Sequence, residues 1–437
     1  MALDRSVSMK SLRIAIAGLG TVGGGTLALL TRNAVLLTER CGSSLDVVAV
    51  SARDRKRERA APLANIEWYD DAVEMARESD ADVVVELIGG SDGVAKSVIE
   101  TALDRRKHVV TANKALLAHH GAVLAEKAER AGVSLNYEAA VAGGIPIVKA
   151  LRESLAGNRI ERVYGILNGT CNYILTDMRR SGREFAAALA DAQRLGYAET
   201  DPSFDVDGVD AAHKLAILAS LAFGTKVNFA GVHMEGIRHV SPHDIAYAEE
   251  LGYRIKLIGS ARLTDHGLEQ RVHPCMVSLQ TPLAHVEGVL NAVVAKGDFV
   301  ETTEYEGRGA GAGPTASAVV ADLVDIALGR RAPTFGVPAS QLKAIKPAPM
   351  ARHYGAYYVR LMVVDRPGVI ADIAAALRDQ QVSMEAMIQR GRAPDATVPV
   401  VLTTHETEEA AMRRALDQIG ALDSMREPPR MIRIEPL

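Results

Sequence analysis

The sequence is poor in cysteine, carries no large excess of either charge and has no apolar run long enough to cross a membrane. Its 437 residues include three cysteines, Cys41, Cys171 and Cys275, and this odd, widely spaced set is typical of a reducing compartment rather than of a disulfide scaffold. The longest uncharged apolar stretch, residues 215–225, is about half of the ~20 residues that a spanning helix needs, so it indicates a buried helix. The first ten residues contain Asp4 and no apolar core, unlike a secretory signal.

The charge balance excludes further classes of protein. Fifty basic and 54 acidic side chains give a formal net charge of −4, which offers no electrostatic reason to expect a nucleic acid or an anionic membrane as partner. An apolar fraction of 48% and a charged fraction of 24% are those of a globular protein, not of a disordered or collagenous chain. We therefore expect a cytoplasmic protein with two or three domains.

The first 145 residues alternate between short β-branched runs and amphipathic segments, the pattern of a doubly wound α/β domain with a parallel sheet. The predicted strands are Leu12–Ala17, Leu45–Ser51, Asp82–Ile88, His108–Thr111 and Ser134–Val141. The predicted helices between them include Gly93–Asp104 and Leu116–Arg130.

Two further regions follow. In residues 146–335 helical patterns, among them Ile147–Ala156, precede strand-like stretches, which predicts an α+β domain with an antiparallel or mixed sheet. We expect the helix near 314–328 to pack back on the first domain. A Pro-bearing linker, 336–352, leads to residues 353–437, whose predicted βαββαβ order is the ferredoxin-like arrangement.

A glycine motif points to a bound dinucleotide. Gly18, Gly20 and Gly23 follow a predicted strand and open a helix, as in a loop that lets a pyrophosphate approach the backbone at a helix N-terminus. The alternative is a glycine turn without a ligand. Arg53 follows the second strand, where an acidic residue would bind a ribose 2′-hydroxyl, so NADP is favoured over NAD, although Asp54 weakens this preference.

Two short segments lie at the carboxyl edge predicted for this sheet. Lys114 ends TANK after the strand His108–Thr111, and there it would face the nicotinamide or the substrate, or else be an ordinary surface lysine. The segment YEAAVAGGIP holds a single acid, Glu138, and its carbonyl groups could bind a hard monovalent cation, although the residues alone favour a plain tight turn.

The segment 196–215 is the best candidate for the reaction centre. Asp210 and Lys214 are spaced i,i+4 on a helix that continues as LAILASLAF, so both side chains lie on one face near its buried end. A carboxylate beside an ammonium group fixes a lysine that can exchange a proton with a substrate oxygen while hydride moves at the same carbon. The alternative is a salt bridge on a helix surface.

Two turns complete the candidate site. Asn168, Gly169 and Thr170 lie between a strand and a helix, where they suit either a polar amino-acid backbone or a simple N-cap by Thr170. A second glycine loop, 307–313, feeds a helix through Pro314, and its small residues permit close approach to a ligand.

Taken together, six segments resemble the homoserine dehydrogenase family over nearly the whole chain. They are GLGTVGGG (18–25), TANK (111–114), NYEAAVAGGIP (136–146), LNGTCNYIL (167–175), GYAETDPSFDVDGVDAAHKL (196–215) and GRGAGAGPTASAV (307–319). The segment YYVRLMVVDRPGVIADIAAAL resembles an ACT domain, a small-molecule sensor that one class of this family carries.

The resemblance implies NAD(P)-dependent interconversion of L-aspartate 4-semialdehyde and L-homoserine, on the route to threonine and methionine. By motif position Lys214 corresponds to the proton donor, with Lys114 and Asp210 as further active-site groups. The implied substrate contacts are Glu199, which would bind the amine, with Asn168, Gly169, Thr170 and Asp207. The implied cofactor contacts are Gly18, Gly20, Thr21, Val22, Gly23, Arg53, Lys114, Gly309 and Gly311. A structural sodium ion is implied at Glu138, Val141, Gly143 and Ile145, mostly through carbonyl oxygens.

Regulation and assembly are also implied. We expect the ACT-like module to bind threonine at a dimer interface near Asp365–Ile370, since that loop opens a helix N-terminus suited to a carboxylate; a module that only assists oligomerisation is the alternative. The expected assembly is a homodimer or homotetramer. Two other functions remain open: a non-catalytic sensor, which should have lost Lys214, Asp210 or Lys114, and another dehydrogenase of a small carbonyl compound.

Overall fold

The computed structural model describes residues 11–57, 63–390 and 396–437. Its strands are β1 Leu12–Ala17, β2 Leu45–Ser51, β3 Glu67–Tyr69, β4 Val83–Glu86, β5 His108–Thr111, β6 Leu135–Asn136, β7 Ile160–Ile166, β8 His233–Met234, β9 Tyr253–Thr264, β10 Gly267–Ser278, β11 Leu290–Gly297, β12 Glu301–Arg308, β13 Tyr354–Val364, β14 Met384–Gln389, β15 Thr397–Thr404, β16 Thr407–Glu408 and β17 Arg430–Glu435. Its helices are α1 Thr21–Arg32, α2 Ala34–Cys41, α3 Ala72–Glu78, α4 Val94–Asp104, α5 Lys114–Ala131, α6 Ile147–Lys149, α7 Gly169–Ser181, α8 Phe185–Arg194, α9 Ser203–Val206, α10 Val209–Phe223, α11 Pro242–Glu250, α12 Ala312–Ala327, α13 Val369–Asp379 and α14 Glu409–Gly420.

The chain divides into two compact units. The first unit comprises Met1–Gly169, Asp210–Val232 and Leu290–Ile345, and the second comprises Thr170–Val209, His233–Val289 and Lys346–Leu437. No helix in the described part of the chain has both the length and the apolar character that crossing a bilayer requires.

The first unit contains the predicted parallel sheet. Its strand order, β3-β2-β1-β4-β5-β6, is that of a dinucleotide-binding doubly wound fold. The core on one face of this sheet is built from fully buried Ile14, Ile16 and Val85 together with Val319 and Leu323 of α12. Helix α12 therefore packs on the parallel sheet although it lies about 200 residues further along the chain. The same unit also holds the antiparallel strands β7, β11 and β12.

The second unit has a mixed sheet. β9 and β10 form a twelve-residue antiparallel hairpin, and β10 pairs in parallel with β17. The sheet then continues in the order β17-β13-β15-β14. In chain order these are the fourth, first, third and second strands of a βαββαβ module. Helices α13 and α14 supply apolar faces that cover the core of this module. The predicted ferredoxin-like arrangement is thus confirmed.

One predicted strand is wrong, and one predicted helix is present but irregular. Residues 134–141 do not form one strand: β6 pairs with β5 over two residues, and Glu138–Ala140 then form a 3-10 turn, because the carboxylate of Glu138 is held by backbone groups of the next helix. The helix predicted at 147–156 starts as α6 but widens into a π-helical turn at Ala150–Ser154. Both departures lie beside the candidate site, where backbone irregularity is common.

Candidate active site

The glycine loop between β1 and α1 is shaped to accept a phosphate. A Cβ at Gly18, which has φ +99°, would lie 2.6 Å from the carbonyl oxygen of Leu87, and one at Gly23 would collide with the carbonyl of Gly18. At Gly20, the N-cap of α1, no atom lies within 4 Å of an added Cβ. Two glycines therefore let the loop fold tightly, and the third leaves open space at the helix N-terminus, where Thr21 and Val22 begin α1.

A buried carboxylate that the sequence analysis missed fixes the neighbouring loop. Glu86, at the end of β4, is fully buried and accepts hydrogen bonds from the N–H groups of Ile88 and Gly89 at 2.8 and 3.0 Å and from the hydroxyl of Thr111 at 2.6 Å. Asn113 caps α5 and donates to the carbonyl of Gly90 at 2.7 Å. These bonds fix the start of α5, where Lys114 is the first helical residue.

Three ionisable side chains meet in the first unit. Asp210 lies between two lysines: its Oδ2 is 2.7 Å from Nζ of Lys214, and its Oδ1 is 3.2 Å from Nζ of Lys114. Asn168 also donates to Oδ2 of Asp210 at 2.8 Å, and Lys214 donates to the carbonyl of Leu167 at 2.7 Å. We call Lys114, Asp210 and Lys214 the reaction-centre cluster.

The surroundings of this cluster decide its charge. The side chains of Asp210 and Lys214 are 7% and 9% exposed, and that of Lys114 is 32% exposed. Burial alone would raise the pKa of Asp210, but the two ammonium groups outweigh it and hold that pKa well below its ordinary value. The pair is therefore not a helix-surface salt bridge, and Asp210 is an ionised carboxylate that holds two lysines.

An aromatic group packs beside the cluster. The ring of His213, adjacent to Lys214 on α10, lies 4.2 Å from the ring of Phe229 and 5.5 Å from that of His119 on α5. Burial, followed by the nearby charge of His119, lowers the pKa of His213 to about 4, so the imidazole is neutral at pH 7. These ring contacts tie α5 and α10, which carry the three charged groups, to each other.

The late glycine loop packs on the turn after β6. A Cβ at Gly143 would lie 2.8 Å from the carbonyl oxygen of Gly309, and one at Gly309 would collide with the side chain of Asn291. The N–H of Gly144 donates to the carbonyl of Arg308 at 2.9 Å. Packing therefore already requires glycine at 143 and 309, whereas Gly311, with φ +113°, is the N-cap of α12.

Beside this turn lies a second group of ionisable side chains, three buried acids and one partly exposed lysine, which we call the acid cluster: Glu138, Lys149, Asp322 and Asp325. The carboxylate of Glu138 accepts from the N–H groups of Val148 and Lys149 at 3.0 and 2.8 Å, and its own N–H donates to Asp322 at 2.8 Å. Oδ1 of Asp322 makes no hydrogen bond within the described residues and is 3.7 Å from Nζ of Lys149.

The pKa values of these two acids are raised. Burial, followed by the charge of Asp322, raises the pKa of Glu138 to about 7, and burial raises that of Asp322 to about 6. Both carboxylate oxygens of Glu138 already accept backbone hydrogen bonds, so the expected monovalent cation would be held here mostly by carbonyl oxygens. Tight-turn bonds also occur in this segment: the N–H of Ile145 donates to the carbonyl of Ala142.

Other predicted site residues belong to the second unit or to the edge of the first. The hydroxyl of Thr170 donates to the carbonyl of Tyr197 at 2.8 Å, so Thr170 lies within the first turn of α7 and is not its N-cap. The carboxylate of Asp207 accepts from Arg238 at 2.5 Å. Glu199 is exposed, and so is Arg53, two residues after the end of β2.

The parallel sheet, the open glycine loop and the reaction-centre cluster define the class of this protein as a nicotinamide-dinucleotide-dependent dehydrogenase. Comparison with known families gives matches to the homoserine dehydrogenase NAD-binding domain at residues 18–138, to homoserine dehydrogenase at 146–324 and to the ACT domain at 357–423. The chain belongs to the homoserine dehydrogenase family. The fold class and the resemblance stated from the sequence are thereby confirmed.

Individual relatives cover almost the full chain. A homoserine dehydrogenase of Neisseria gonorrhoeae is 46% identical over 98% of this chain and 100% of its own length. The crystal structure of a homoserine dehydrogenase from Thiobacillus denitrificans has a TM-score of 0.92, 45% identity and coverage of 98% of this chain and 99% of that one. A hyperthermophilic archaeal homoserine dehydrogenase in complex with NADPH has a TM-score of 0.63 and 26% identity, covering 74% of this chain and 99% of its own.

Proposed function

We propose that this chain reduces L-aspartate 4-semialdehyde to L-homoserine with NADPH, reversibly, and that Lys214 supplies the proton. The observation that carries the assignment is the buried Asp210 with an ammonium group on each carboxylate oxygen. Lys214 also donates a hydrogen bond to the carbonyl of Leu167, so its ammonium group is held at a fixed position. Family membership supports this assignment, and the individual residue roles are our inference.

The roles of the residues follow from their charges. When bound, NADPH supplies a hydride to the aldehyde carbon. Lys214 donates a proton to the oxygen that becomes negative, so the C=O group becomes CH–OH and the lysine leaves the step neutral. Asp210 stabilises the charged form of Lys214 and fixes its position. Lys114 faces the same carboxylate and is assigned to the nicotinamide and substrate side.

Substrate recognition is assigned to residues that could bind the ammonium and other polar groups of an amino acid. Glu199 would bind the ammonium group of the substrate, with Asn168, Gly169, Thr170 and Asp207 as further contacts. The side-chain amide of Asn168 donates to Oδ2 of Asp210 at 2.8 Å, so a substrate bound to Asn168 would lie next to the reaction-centre cluster. In the reverse direction the same residues would bind homoserine, and Lys214 would accept the proton.

NADPH is assigned to Gly18, Gly20, Thr21, Val22, Gly23, Gly309, Gly311 and Arg53. The preference for NADP over NAD rests on Arg53, which is exposed two residues after β2 and can pair with a 2′-phosphate. We expect Arg53→Ala to lower kcat/KM for NADPH about tenfold relative to NADH, while Arg40→Ala, which removes an exposed arginine at the end of α2, leaves the ratio unchanged. An unchanged ratio in Arg53→Ala would remove this residue from the proposal.

The ACT domain is proposed to make the enzyme sensitive to threonine. Gly368, with φ +95°, is the N-cap of α13, and the segment Asp365–Ile370 comprises the preceding turn and the first two residues of that helix. We infer that threonine binds there at an interface between two copies, in a homodimer or homotetramer. Threonine that neither inhibits turnover nor binds in calorimetry would contradict this and favour a module that only assists oligomerisation.

The experiment for the whole proposal is the oxidation of NADPH and of NADH with L-aspartate 4-semialdehyde, each with and without threonine. We expect turnover that is faster with NADPH and that falls when threonine is added. Folded protein that binds NADPH but turns over neither cofactor would favour a sensor instead. The sodium ion and the cytoplasmic location are parts of the proposal that rest on the family resemblance and on cysteine usage.

A further inference from the structure

A chain of ion pairs in the second unit leads from the ACT domain toward the segment that precedes α10. Arg433, on β17, is 1% exposed and makes two-point contacts with two glutamates. It donates to Glu409, at the start of α14, at 2.8 and 2.7 Å, and to Glu235, directly after β8, at 2.9 and 2.9 Å. Because the guanidinium group is planar and rigid, these bonds fix the orientation of both carboxylates.

Glu235 begins a short segment, residues 235–238, that we call the strap. The backbone N–H of Glu235 donates to the carbonyl of Val272 on β10 at 2.8 Å, while the Glu235 side chain is bound by Arg433. Burial would raise the pKa of the Glu235 carboxyl, but hydrogen bonds from His233 and Arg433 outweigh it and hold that pKa well below its ordinary value. The strap is therefore anchored at its first residue by both β10 and β17.

The rest of the strap supports the turn that ends α9. Gly236 leaves no room for a Cβ, which would collide with the carbonyl oxygen of Val206 and lie 2.7 Å from Cα of Asp207. The N–H of Ile237 donates to the carbonyl of Val206 at 2.9 Å. Arg238 donates to the carboxylate of Asp207 at 2.5 Å. Successive strap residues thus contact the turn 206–208.

This turn leads directly into the catalytic segment. Gly208, with φ +87°, is the last residue before α10, and Asp210 lies in the first turn of that helix. Displacement of the turn would therefore move the carboxylate that holds Lys214. A misplacement of about 1 Å is enough to lower an enzyme's rate by about 10²-fold.

We propose that Arg433 and Glu235 are positioning residues for the reduction, and that they couple the ACT domain to the reaction centre through the strap. Neither residue touches the substrate or cofactor in this account; both act through the turn 206–208. The inference rests on the proposed function, and it extends it by naming the contact through which the regulatory domain acts on turnover.

The test compares two buried arginines of the ACT domain that each hold a carboxylate outside it, Glu235 for Arg433 and Asp244 for Arg360. Arg433→Gln cuts the bonds to the strap. The matched control is Arg360→Gln on β13, which cuts a bond of 2.8 Å to Asp244 of α11 and leaves the strap contacts in place. We expect Arg433→Gln to lower kcat about tenfold with NADPH affinity unchanged, while Arg360→Gln keeps wild-type kcat. Both variants should lose thermal stability.

Two further measurements separate positioning from general damage. Glu235→Gln, which keeps the side-chain shape, should reproduce the loss of kcat, and Arg433→Lys, which keeps the charge, should restore part of it. Amide hydrogen exchange of residues 203–210 should be faster in Arg433→Gln and in Glu235→Gln but not in Arg360→Gln. Equal losses of kcat in both arginine variants, or unchanged exchange in 203–210, would overturn the inference.

The exchange measurement does not depend on turnover. If wild-type protein does not reduce the semialdehyde, the proposed function fails, yet faster exchange in the two strap variants would still support the coupling. If wild type turns over normally and neither Arg433→Gln nor Glu235→Gln changes kcat, the proposed function stands and the coupling is wrong.

Discussion

The reaction-centre cluster and the acid cluster lie in the same unit, and each joins a buried aspartate to lysine, yet the pKa values of Asp210 and Asp322 are shifted in opposite directions. Asp210 has an ammonium group on each oxygen and a pKa well below its ordinary value. In the acid cluster, Lys149 binds Asp325 at 2.5 Å and is 3.7 Å from Asp322, whose pKa rises to about 6.

The difference shows that burial alone does not determine how a carboxylate behaves. Burial raises the pKa in both clusters, and the number and distance of the cations decide the outcome. An ionised Asp210 can hold a charged lysine ready for proton transfer. Glu138 and Asp322, bound mainly by backbone N–H groups, instead fix the turn after β6 against α12. We therefore expect substitutions in the first cluster to affect turnover and those in the second to affect stability.

The largest expected effect separates the two lysines. Lys214→Ala removes the proton donor and should lower kcat by about 10³-fold while NADPH affinity, measured by fluorescence titration, stays similar. Lys149→Ala is the matched control, because it removes a lysine that binds a buried aspartate outside the reaction centre. Wild-type turnover in Lys214→Ala, or an equal loss of kcat in Lys149→Ala, would contradict the assignment of Lys214 as the proton donor.

The pH dependence of stability should have opposite signs in the two clusters. The pKa of Asp322 is raised from 3.8 to about 6, so its contribution to stability is full below the ordinary pKa and is lost as pH rises through about 6. The pKa of Asp210 is lowered, so its contribution is present above 3.8 and is lost as pH falls below it.

Thermal unfolding from about pH 2 to 8 covers both ranges and tests this. We expect Asp322→Asn to lose less stability than wild type as pH rises from about 4 to 6, the range of its pKa shift. Asp210→Asn should be destabilised at neutral pH, with a smaller further loss on acidification. Parallel curves for wild type and Asp322→Asn would mean that Asp322 does not titrate as described.

The smallest expected effect concerns the cation proposed beside the acid cluster. An ion bound by carbonyl oxygens near Glu138, Val141, Gly143 and Ile145 stabilises only the folded state. Replacing KCl by NaCl at equal ionic strength should raise the Tm by about 2 °C, with choline chloride giving the KCl value. Identical Tm values in all three salts would contradict a sodium site.

Local features were predictable from the sequence. The bounds of β1, β2 and β5 agree with those predicted, because each is a short apolar run with turn residues beside it. The i,i+4 spacing also predicted that Asp210 and Lys214 would pair, since it is a property of one helix.

Contacts between distant segments were not predictable. Glu86 lies within an apolar run, so its periodicity indicated only a strand, and its hydrogen bond to Thr111 spans 25 positions. Asp322 meets Glu138 across 184 positions, and Arg433 meets Glu235 across 198. No local sequence pattern predicts such pairs, because a charged residue on a helix or strand is normally expected to be exposed to solvent.

The most direct test of the account is a side-by-side measurement of kcat for Asp210→Asn and Asp322→Asn, two isosteric neutralisations of buried aspartates in the same unit. With NADPH and L-aspartate 4-semialdehyde at pH 7, we expect kcat to fall about 10²-fold in Asp210→Asn, because Lys214 loses the charge that fixes it, and to stay near wild type in Asp322→Asn. Near-normal turnover in Asp210→Asn, or equal losses in both variants, would contradict the assignment of the reaction to the cluster around Asp210.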